Sequence, residues 1–264
     1  MSLPPSWIRN SNIPTPSPVL NQVFDVLYNP DMTMEELADV ISFDAGLTAR
    51  TLRSANSAFS RPVSEIRTVL DAIVRIGLLP TIHIITATEV AAVFFSVPGD
   101  HGNMKYHWNH HILVASLAEA HAKHFNLSDP GRWFVGGLIH DIGRLMMLKV
   151  DPVKYAKAIQ LHDDEQIDLR EAEKLLFDYS HDIAGGLLLD FWRFPSDLAD
   201  AAYEHHKKFS DIEDFCSGIG IANQIANAIQ NNLPLPEFSG IPVPDIIIAA
   251  NERYELMKKV SGFC

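Results

Sequence analysis

Cysteine is scarce in this chain of 264 residues. Cys216 and Cys264 are its only cysteines, which is too few for a disulfide framework or for a zinc site built from thiolates. So little thiol is typical of a protein from a reducing compartment, and the sequence therefore predicts a cytoplasmic location. A chain of this length can bury a sizeable hydrophobic core without covalent cross-links.

Long apolar runs and an excess of positive charge are missing as well. No stretch approaches the roughly 20 apolar residues of a membrane-spanning helix, so we expect neither a membrane protein nor a secreted one. Against 33 acidic residues stand 21 Lys and Arg, and the resulting net charge of −12 repels a phosphate backbone. A helix-turn-helix DNA reader over residues 33–60, which Arg50 and Arg53 would favour, is therefore disfavoured.

Apolar residues recur at helical spacing along most of the chain, and strand-like alternation is sustained nowhere. Thr33 and Glu36 have the spacing of a capping box, and Asp44 is placed to cap the helix that follows. Gly77 is placed to end a further helix, which we expect to begin at Ser64. The sequence thus predicts an all-α protein.

Histidine is concentrated in the second part of the chain, where eleven of the twelve lie between His101 and His206. Four helical segments carry them in an ordered series: His110, then His140-Asp141, then His181-Asp182, then His205-His206. Imidazole and carboxylate together are ligands for iron, manganese, nickel or zinc, and facing helices of a bundle are a common place for such sites. We therefore predict that these imidazoles converge with one acidic side chain on a divalent metal ion.

The other histidines do not follow this spacing. An isolated histidine on a helix is usually a surface residue or a hydrogen-bonded core residue. His111 adjoins His110, and because two neighbours on a helix point in different directions, we expect only His110 to face inward. We assign to solvent or loops His101, His107, His121, His124 and His162.

The order of the histidines resembles the HD superfamily of metal-dependent phosphohydrolases, and HDIGR at 140–144 is similar to its signature. Three segments of the first half resemble motifs of one branch, the HDOD family. They are IPTPSPV at 13–19, FDAGLTARTLRSANSAFS at 43–60, with Ala45 where that family usually has Pro, and VSEIRTVLDAIVRIGL at 63–78. The resemblance covers about residues 13–208.

The resemblance to the HDOD family implies a multi-helical HD-like bundle with an additional N-terminal helical lobe. It also implies a bacterial signal-transduction protein that acts as a regulatory binding module, with a protein partner or a small phosphorylated ligand. The Pro, Gly and Asn of SVPGDHGN mark the strongest internal break. We expect a tail over 1–12, the lobe over 13–98 and the bundle over 99–264, with C-terminal helices over 209–264 beyond the family match.

The chain departs from the catalytic HD pattern at its last metal-binding position. An Asp is expected in the helix after the paired histidines, whereas IGIANQIAN offers Asn223, whose neutral amide is a weak ligand. The branch that hydrolyses cyclic dinucleotides has a Gly-Tyr-Pro element after those histidines, and KKFSDIEDF stands there instead. The resemblance therefore implies a partly degenerate metal site with weak or no catalysis.

Two alternatives stay open beside the regulatory module. The first is a metal-dependent phosphohydrolase with a mono- or dinuclear centre, in which Asp141 and Arg144 would serve catalysis. In that enzyme Arg144 would steady a phosphate, although it could equally pair with an acidic neighbour on the surface. The second is a metal ion that is bound without catalysis, either to stabilise the fold or as part of a sensor. For Asn56 we prefer hydrogen bonds in a turn to contact with a ligand.

Overall fold

A computed structural model describes most of the chain, namely residues 18–27, 29, 31, 33–58, 65–95, 101–209 and 211–260. Regular structure within these residues is helical, apart from an isolated bridge between Phe238 and Ile241. The predicted all-α class is confirmed. Among the helices that the structure describes, none is both long enough and apolar enough to cross a membrane.

The described helices fall into an N-terminal lobe, α1–α5, and a bundle, α6–α14. Those of the lobe are α1 (Pro18–Leu27), α2 (Met34–Ser42), α3 (Ala45–Ala58), α4 (Val69–Ile76) and α5 (Leu78–Phe95). Those of the bundle are α6 (His101–His124), α7 (Pro130–Ile139), α8 (Ile142–Val150), α9 (Pro152–Glu165), α10 (Leu169–Phe177), α11 (His181–Phe191), α12 (Ser196–Glu204), α13 (Phe215–Gln230) and α14 (Val243–Val260).

Helix α2 begins with the predicted capping box. The amide of Glu36 donates to Thr33 Oγ1 at 3.2 Å, and the amide of Thr33 donates to Glu36 Oε2 at 2.9 Å. Asp44 caps α3 as predicted, since its Oδ1 accepts the amide of Leu47 at 2.8 Å. Each contact satisfies an amide that has no partner within the helix.

Helix α4 begins later than predicted. The predicted start, Ser64, lies outside the described residues, and the helix begins at Val69. Thr68 directs this start, because its hydroxyl accepts the amide of Asp71 at 3.0 Å. Gly77 ends the helix as expected, with a φ of 94° that a residue with a side chain rarely adopts.

Asn56 connects the end of α3 to the segment before α4. Its Nδ2 donates to the carbonyl oxygens of Leu52 and Ile66 at 2.9 Å each, and its Oδ1 accepts the amide of Ile66 at 2.9 Å. These hydrogen bonds confirm the structural interpretation of Asn56.

One continuous hydrophobic core extends from the lobe into the bundle and includes Leu20 of α1 and Met257 of α14. Helix α14 packs on α6 and also contacts α3 and α5, so the C-terminal helix touches both parts. The predicted boundary at 98/99 lies outside the described residues. The division into two units therefore stays a prediction.

A buried, neutral histidine, His83, makes the stability of the fold sensitive to acid. His83 of α5 is buried against Phe134, and its Nδ1 accepts a hydrogen bond from Arg253 of α14. Burial, and then the positive charge of Arg253, hold the pKa of His83 well below its usual value. As the pH falls through about 6.5, His83 is therefore protonated in the unfolded chain but stays neutral in the folded chain. The folded state loses stability as a result.

When the pH is lowered from about 7.5 to about 5.5, we expect the free energy of unfolding to fall by about 1.4 kcal/mol because of His83 alone. Urea unfolding of wild type and His83→Gln at the two pH values measures this contribution, since glutamine can still accept from Arg253. The matched control is His124→Gln, at an exposed position. An unchanged pH dependence in His83→Gln would contradict the prediction.

Candidate metal centre

The structure brings one carboxylate and four imidazoles together inside the bundle. Asp141 Oδ1 lies 3.3 Å from His181 Nε2 and 3.3 Å from His205 Nε2, while its Oδ2 lies 3.7 Å from His140 Nε2. His206 Nε2 lies 2.8 Å from His181 Nε2. All but His206, which is half-buried, are buried. The predicted convergence is thus present, while the role of these residues as ligands stays a prediction.

Helix ends position these side chains. His140 and Asp141 form the junction between α7 and α8, His181 opens α11, and His205 follows the last residue of α12. Helix α8 approaches the start of α11 through Gly143, where an added Cβ would lie 1.9 Å from the carbonyl oxygen of His181. The position of His181 relative to Asp141 therefore depends on a glycine.

Hydrogen bonds at the outer ring nitrogens orient two of the imidazoles. His140 Nδ1 lies 2.8 Å from the carbonyl oxygen of Gly137, and His205 Nδ1 lies 2.8 Å from that of Ala202. Because a carbonyl oxygen can only accept, each Nδ1 carries the proton and each Nε2 presents a lone pair to the cluster. This arrangement is typical of metal-binding histidines.

The inward atoms of the cluster fit a bound cation. His140 Nε2, His205 Nε2 and Asp141 Oδ1 are buried and have no hydrogen-bond partner among the described residues. Lone pairs that meet in this way repel each other unless a positive charge lies between them. Possible ligand atoms of Asp141, His181, His205 and His206 lie within 4.8 Å of one another, and the same holds for His110, His140 and Asp141.

Asp141 is the charged centre of the cluster. Burial alone would raise its pKa, but the guanidinium of Arg144 and the surrounding imidazoles hold that pKa well below its usual range. Arg144 Nη1 lies 3.3 Å from Asp141 Oδ2, and 25% of the Arg144 side chain is exposed. Arg144 therefore pairs with the cluster itself and not with an acidic residue of the outer surface.

Three imidazoles of the cluster, those of His110, His140 and His206, are neutral at physiological pH. Burial lowers the pKa of His110 and, more strongly, that of His140. Burial, followed by the neighbouring His205 and His181, lowers the pKa of His206 to about 2. Neutral imidazole is the form that binds a metal ion, so no proton has to be displaced from these rings.

The side chains of Asn223 and His110 are within hydrogen-bond distance of each other. The ring nitrogens of His110 lie 3.0 Å from Asn223 Oδ1 and 2.7 Å from Gln230 Oε1. Asn223 Oδ1 also accepts from Asn227 Nδ2 at 3.0 Å. Hydrogen bonds between side chains therefore occupy the part of the cluster where the HD pattern places its last acidic ligand.

The expectation that His110 alone faces inward is wrong. His110 and His111 are both buried, and His111 Nδ1 lies 2.6 Å from the carbonyl oxygen of Leu138. Both can be buried because neighbouring helices surround this part of α6, where residues 110–122 are all buried. Burial lowers the pKa of His111 to about 3.

The histidines assigned to solvent or loops divide into several cases. His121 is buried, with Nε2 2.9 Å from the carbonyl oxygen of Ile212, so its assignment was wrong. His107 is half-buried one turn before His110, and burial, then the charge of Arg144, lower its pKa to about 4. It too belongs to the surroundings of the cluster. His124 is exposed as expected.

Two assignments remain. His162 lies within α9 and is half-buried, with Nδ1 2.5 Å from the carbonyl oxygen of Ile167, which corrects the expectation of a solvent or loop position. The side chain of His101 lies outside the described residues.

Sequence reasoning missed Glu173. This residue of α10 is fully buried, and its Oε2 accepts both the amide of His181 at 2.8 Å and His181 Nδ1 at 2.7 Å. A signal was present, since Glu173 lies four residues after Leu169 and four before Phe177, on the apolar face of α10. A glutamate on an amphipathic helix is otherwise read as solvent-exposed.

The helical fold and the buried His/Asp cluster define a protein of the HD class. More narrowly, this chain belongs to the HDOD family, because residues 13–208 match the HDOD domain. The predicted recognition is confirmed.

Solved structures of similar fold come from several bacteria. An HDOD domain protein of unknown function from Geobacter sulfurreducens has 21% identity and a TM-score of 0.75, with 98% of this chain and 97% of that chain covered. A candidate phosphohydrolase from Shewanella amazonensis has 23% identity and a TM-score of 0.71, with 97% and 96% covered. A candidate signal-transduction protein from Marinobacter aquaeolei has 17% identity and a TM-score of 0.71, with 98% and 62% covered.

A curated relative, an uncharacterised protein of Treponema pallidum, is 21% identical over 233 residues. The match covers 86% of this chain and 44% of that protein, so this chain spans less than half the length of that relative. At these identities the solved structures show a shared fold.

Proposed function

We propose that this chain is a cytoplasmic bacterial signal-transduction module that binds one divalent transition-metal ion and acts by binding rather than by hydrolysis. Its partner is a signalling protein or a small phosphorylated ligand. The metal ion, which is iron, manganese, nickel or zinc, is held by ligands drawn from His140, Asp141, His181, His205 and His206.

The observation that carries the metal site is the set of unpartnered, inward-facing atoms. Two imidazole nitrogens and one carboxylate oxygen are buried without hydrogen-bond partners among the described residues. Leaving such groups unsatisfied is costly, and a divalent cation satisfies all of them together. When bound, the ion would supply Lewis acidity.

A single ion is favoured over a pair. Two adjacent divalent ions repel each other, so a pair needs more negative charge than a single ion, and Asp141 is the one carboxylate that touches the inward imidazole nitrogens among the described residues. At the second position Asn223 brings no charge and is hydrogen-bonded to His110. These features support metal binding with weak or no turnover.

Arg144 gives the site a means of sensing an anion. A quarter of its side chain is exposed while its guanidinium contacts Asp141. A phosphate that reached the entrance could accept from this guanidinium in a forked geometry. Such a ligand would compete with Asp141 for Arg144.

A metal-dependent phosphohydrolase is the second candidate. It is favoured by the complete inward set His140, Asp141, His181 and His205, in which Arg144 is placed to steady a phosphate. The fold shared with the candidate phosphohydrolase of Shewanella amazonensis is compatible with it.

Elemental analysis of protein purified without chelators or metal-affinity columns tests the proposal. We expect about one divalent metal ion per chain and no measurable hydrolysis of phosphomonoesters or cyclic dinucleotides with Mn²⁺, Fe²⁺ or Ni²⁺. Turnover that disappears in His140→Ala would establish the hydrolase instead. Absence of metal, with no uptake on reconstitution, would exclude both.

A further inference from the structure

We infer that Glu173 is a positioning residue, which contacts His181 on the side away from the cluster. Its negative charge takes the place of the charge that an acidic residue would supply at position 223, where the chain has the neutral Asn223. The inference rests on the proposed metal site. A residue that does not itself contact the ion would then contribute to the affinity of the site.

Glu173 differs from the other groups that orient the cluster. Carbonyl oxygens hold the Nδ1 atoms of His140 and His205, whereas a carboxylate holds that of His181. A carboxylate behind an imidazole fixes the tautomer and also makes Nε2 a more basic ligand. His181 is therefore the imidazole to which the fold gives added electron-donating strength.

Charge at the cluster depends on the same residue. Asp141 and Glu173 contribute two negative charges, and Arg144 contributes one positive charge, which leaves a net charge of −1. The neighbouring Asp182 is not counted in this set: its Oδ2 lies 4.0 Å from Arg170 Nη1, and Arg170 pairs more closely with Asp168, whose Oδ1 lies 3.1 Å from Arg170 Nε. Without Glu173 the net charge would be zero, and the attraction for a divalent cation would fall accordingly.

The buried geometry keeps this charge effective. Glu173 is fully buried, and its Oε1 has no hydrogen-bond partner among the described residues. No solvent screens the carboxylate, so its field reaches the imidazole that it contacts and the cation beyond.

The Glu173→Gln variant isolates the charge. Glutamine can place its carbonyl oxygen where Oε2 accepts both donors of His181, and its amide group takes the position of Oε1. We expect the Kd for Zn²⁺, measured on the full chain by chelator competition, to rise about 10- to 100-fold. Glu171→Gln removes an exposed charge from the same helix and is expected to leave the Kd unchanged.

Restoring the charge at the other position should restore affinity. We expect Asn223→Asp alone to tighten Zn²⁺ binding, and Asn223→Asp combined with Glu173→Gln to return the Kd to within about threefold of wild type. A purely structural role of Glu173 would instead lower the melting temperature of the metal-free protein, and Asn223→Asp would not correct it.

The outcomes separate the two proposals. If wild type binds no Zn²⁺, the metal site itself is wrong. If wild type binds Zn²⁺ and Glu173→Gln binds equally well, the inference about Glu173 is wrong while the metal site stands. A double variant no tighter than Glu173→Gln also overturns the inference. Should Glu173→Gln fail to fold, an unchanged Kd in Asn223→Asp would overturn it.

Discussion

The Asp141→Asn variant is expected to bind divalent metal ions more than about 100-fold more weakly than wild type. This loss exceeds the roughly 10- to 100-fold loss that is typical when a residue behind a metal ligand is removed. Asp141 is the carboxylate at the centre of the cluster, and asparagine keeps its shape while removing its charge. At a free metal concentration about 100 times the wild-type Kd, the bound ion stabilises the folded wild type by about 2.7 kcal/mol. In a chain of this size that corresponds to roughly 5–10 °C in melting temperature, and the variant should keep no more than about 0.4 kcal/mol of this stabilisation.

Metal-free Asp141→Asn should remain folded. Arg144 loses its charged partner, while the new amide can donate to the lone pair of His181 or His205. These changes oppose each other, so we expect unfolding free energies within about 1 kcal/mol of wild type. Isothermal titration and thermal unfolding with and without metal measure both quantities, with exposed Asp163→Asn as control. A variant that still gained the full metal-induced stabilisation would remove Asp141 from the ligand set.

The second large effect is expected from Gly143→Ala. A Cβ at this position would lie 1.9 Å from the carbonyl oxygen of His181 and 2.6 Å from the amide nitrogen of Gly185. Both are backbone atoms, so α8 and α11 would have to separate. We expect the free energy of unfolding to fall by about 3 kcal/mol, at the upper end for overpacking, and metal affinity to fall with it.

Gly46→Ala is the matched control for Gly143→Ala. Gly46 lies exposed in α3, where an added methyl group should raise the free energy of unfolding by no more than about 1 kcal/mol. Urea unfolding of the three proteins provides the comparison. If Gly143→Ala unfolds like wild type, the close approach of the two helices does not constrain the site.

The sequence predicted helix starts correctly where the capping residues lie within a few positions of the amides that they bind. Thr33, Glu36 and Asp44 satisfy amides within three residues, so their contacts depend on little beyond the adjacent chain. The start of α4 was misplaced because Thr68 offers a competing cap several residues after Ser64. Where two capping residues lie close together, local reasoning does not rank them.

The residues that converge in the cluster were predictable from the sequence, but the contacts that support them were not. The series His110, His140-Asp141, His181 and His205-His206 identified residues that the fold brings together. His111 and His121 were misassigned because burial on all sides of α6 is a property of the surrounding helices. Glu173 was missed because a buried carboxylate can be predicted only when its hydrogen-bond partner is known. That partner, His181, lies on another helix.

The amino-acid sequence by itself determined the helical class, the HDOD membership and the ordered series of histidines with Asp141, since each depends on residue type and spacing along the chain. Only the tertiary structure decided that Gly143 sets the approach of α8 to α11, that Arg144 pairs with Asp141, and that Glu173 lies behind His181. These contacts join residues of separate helices, and their distances follow from how the helices pack rather than from any local pattern.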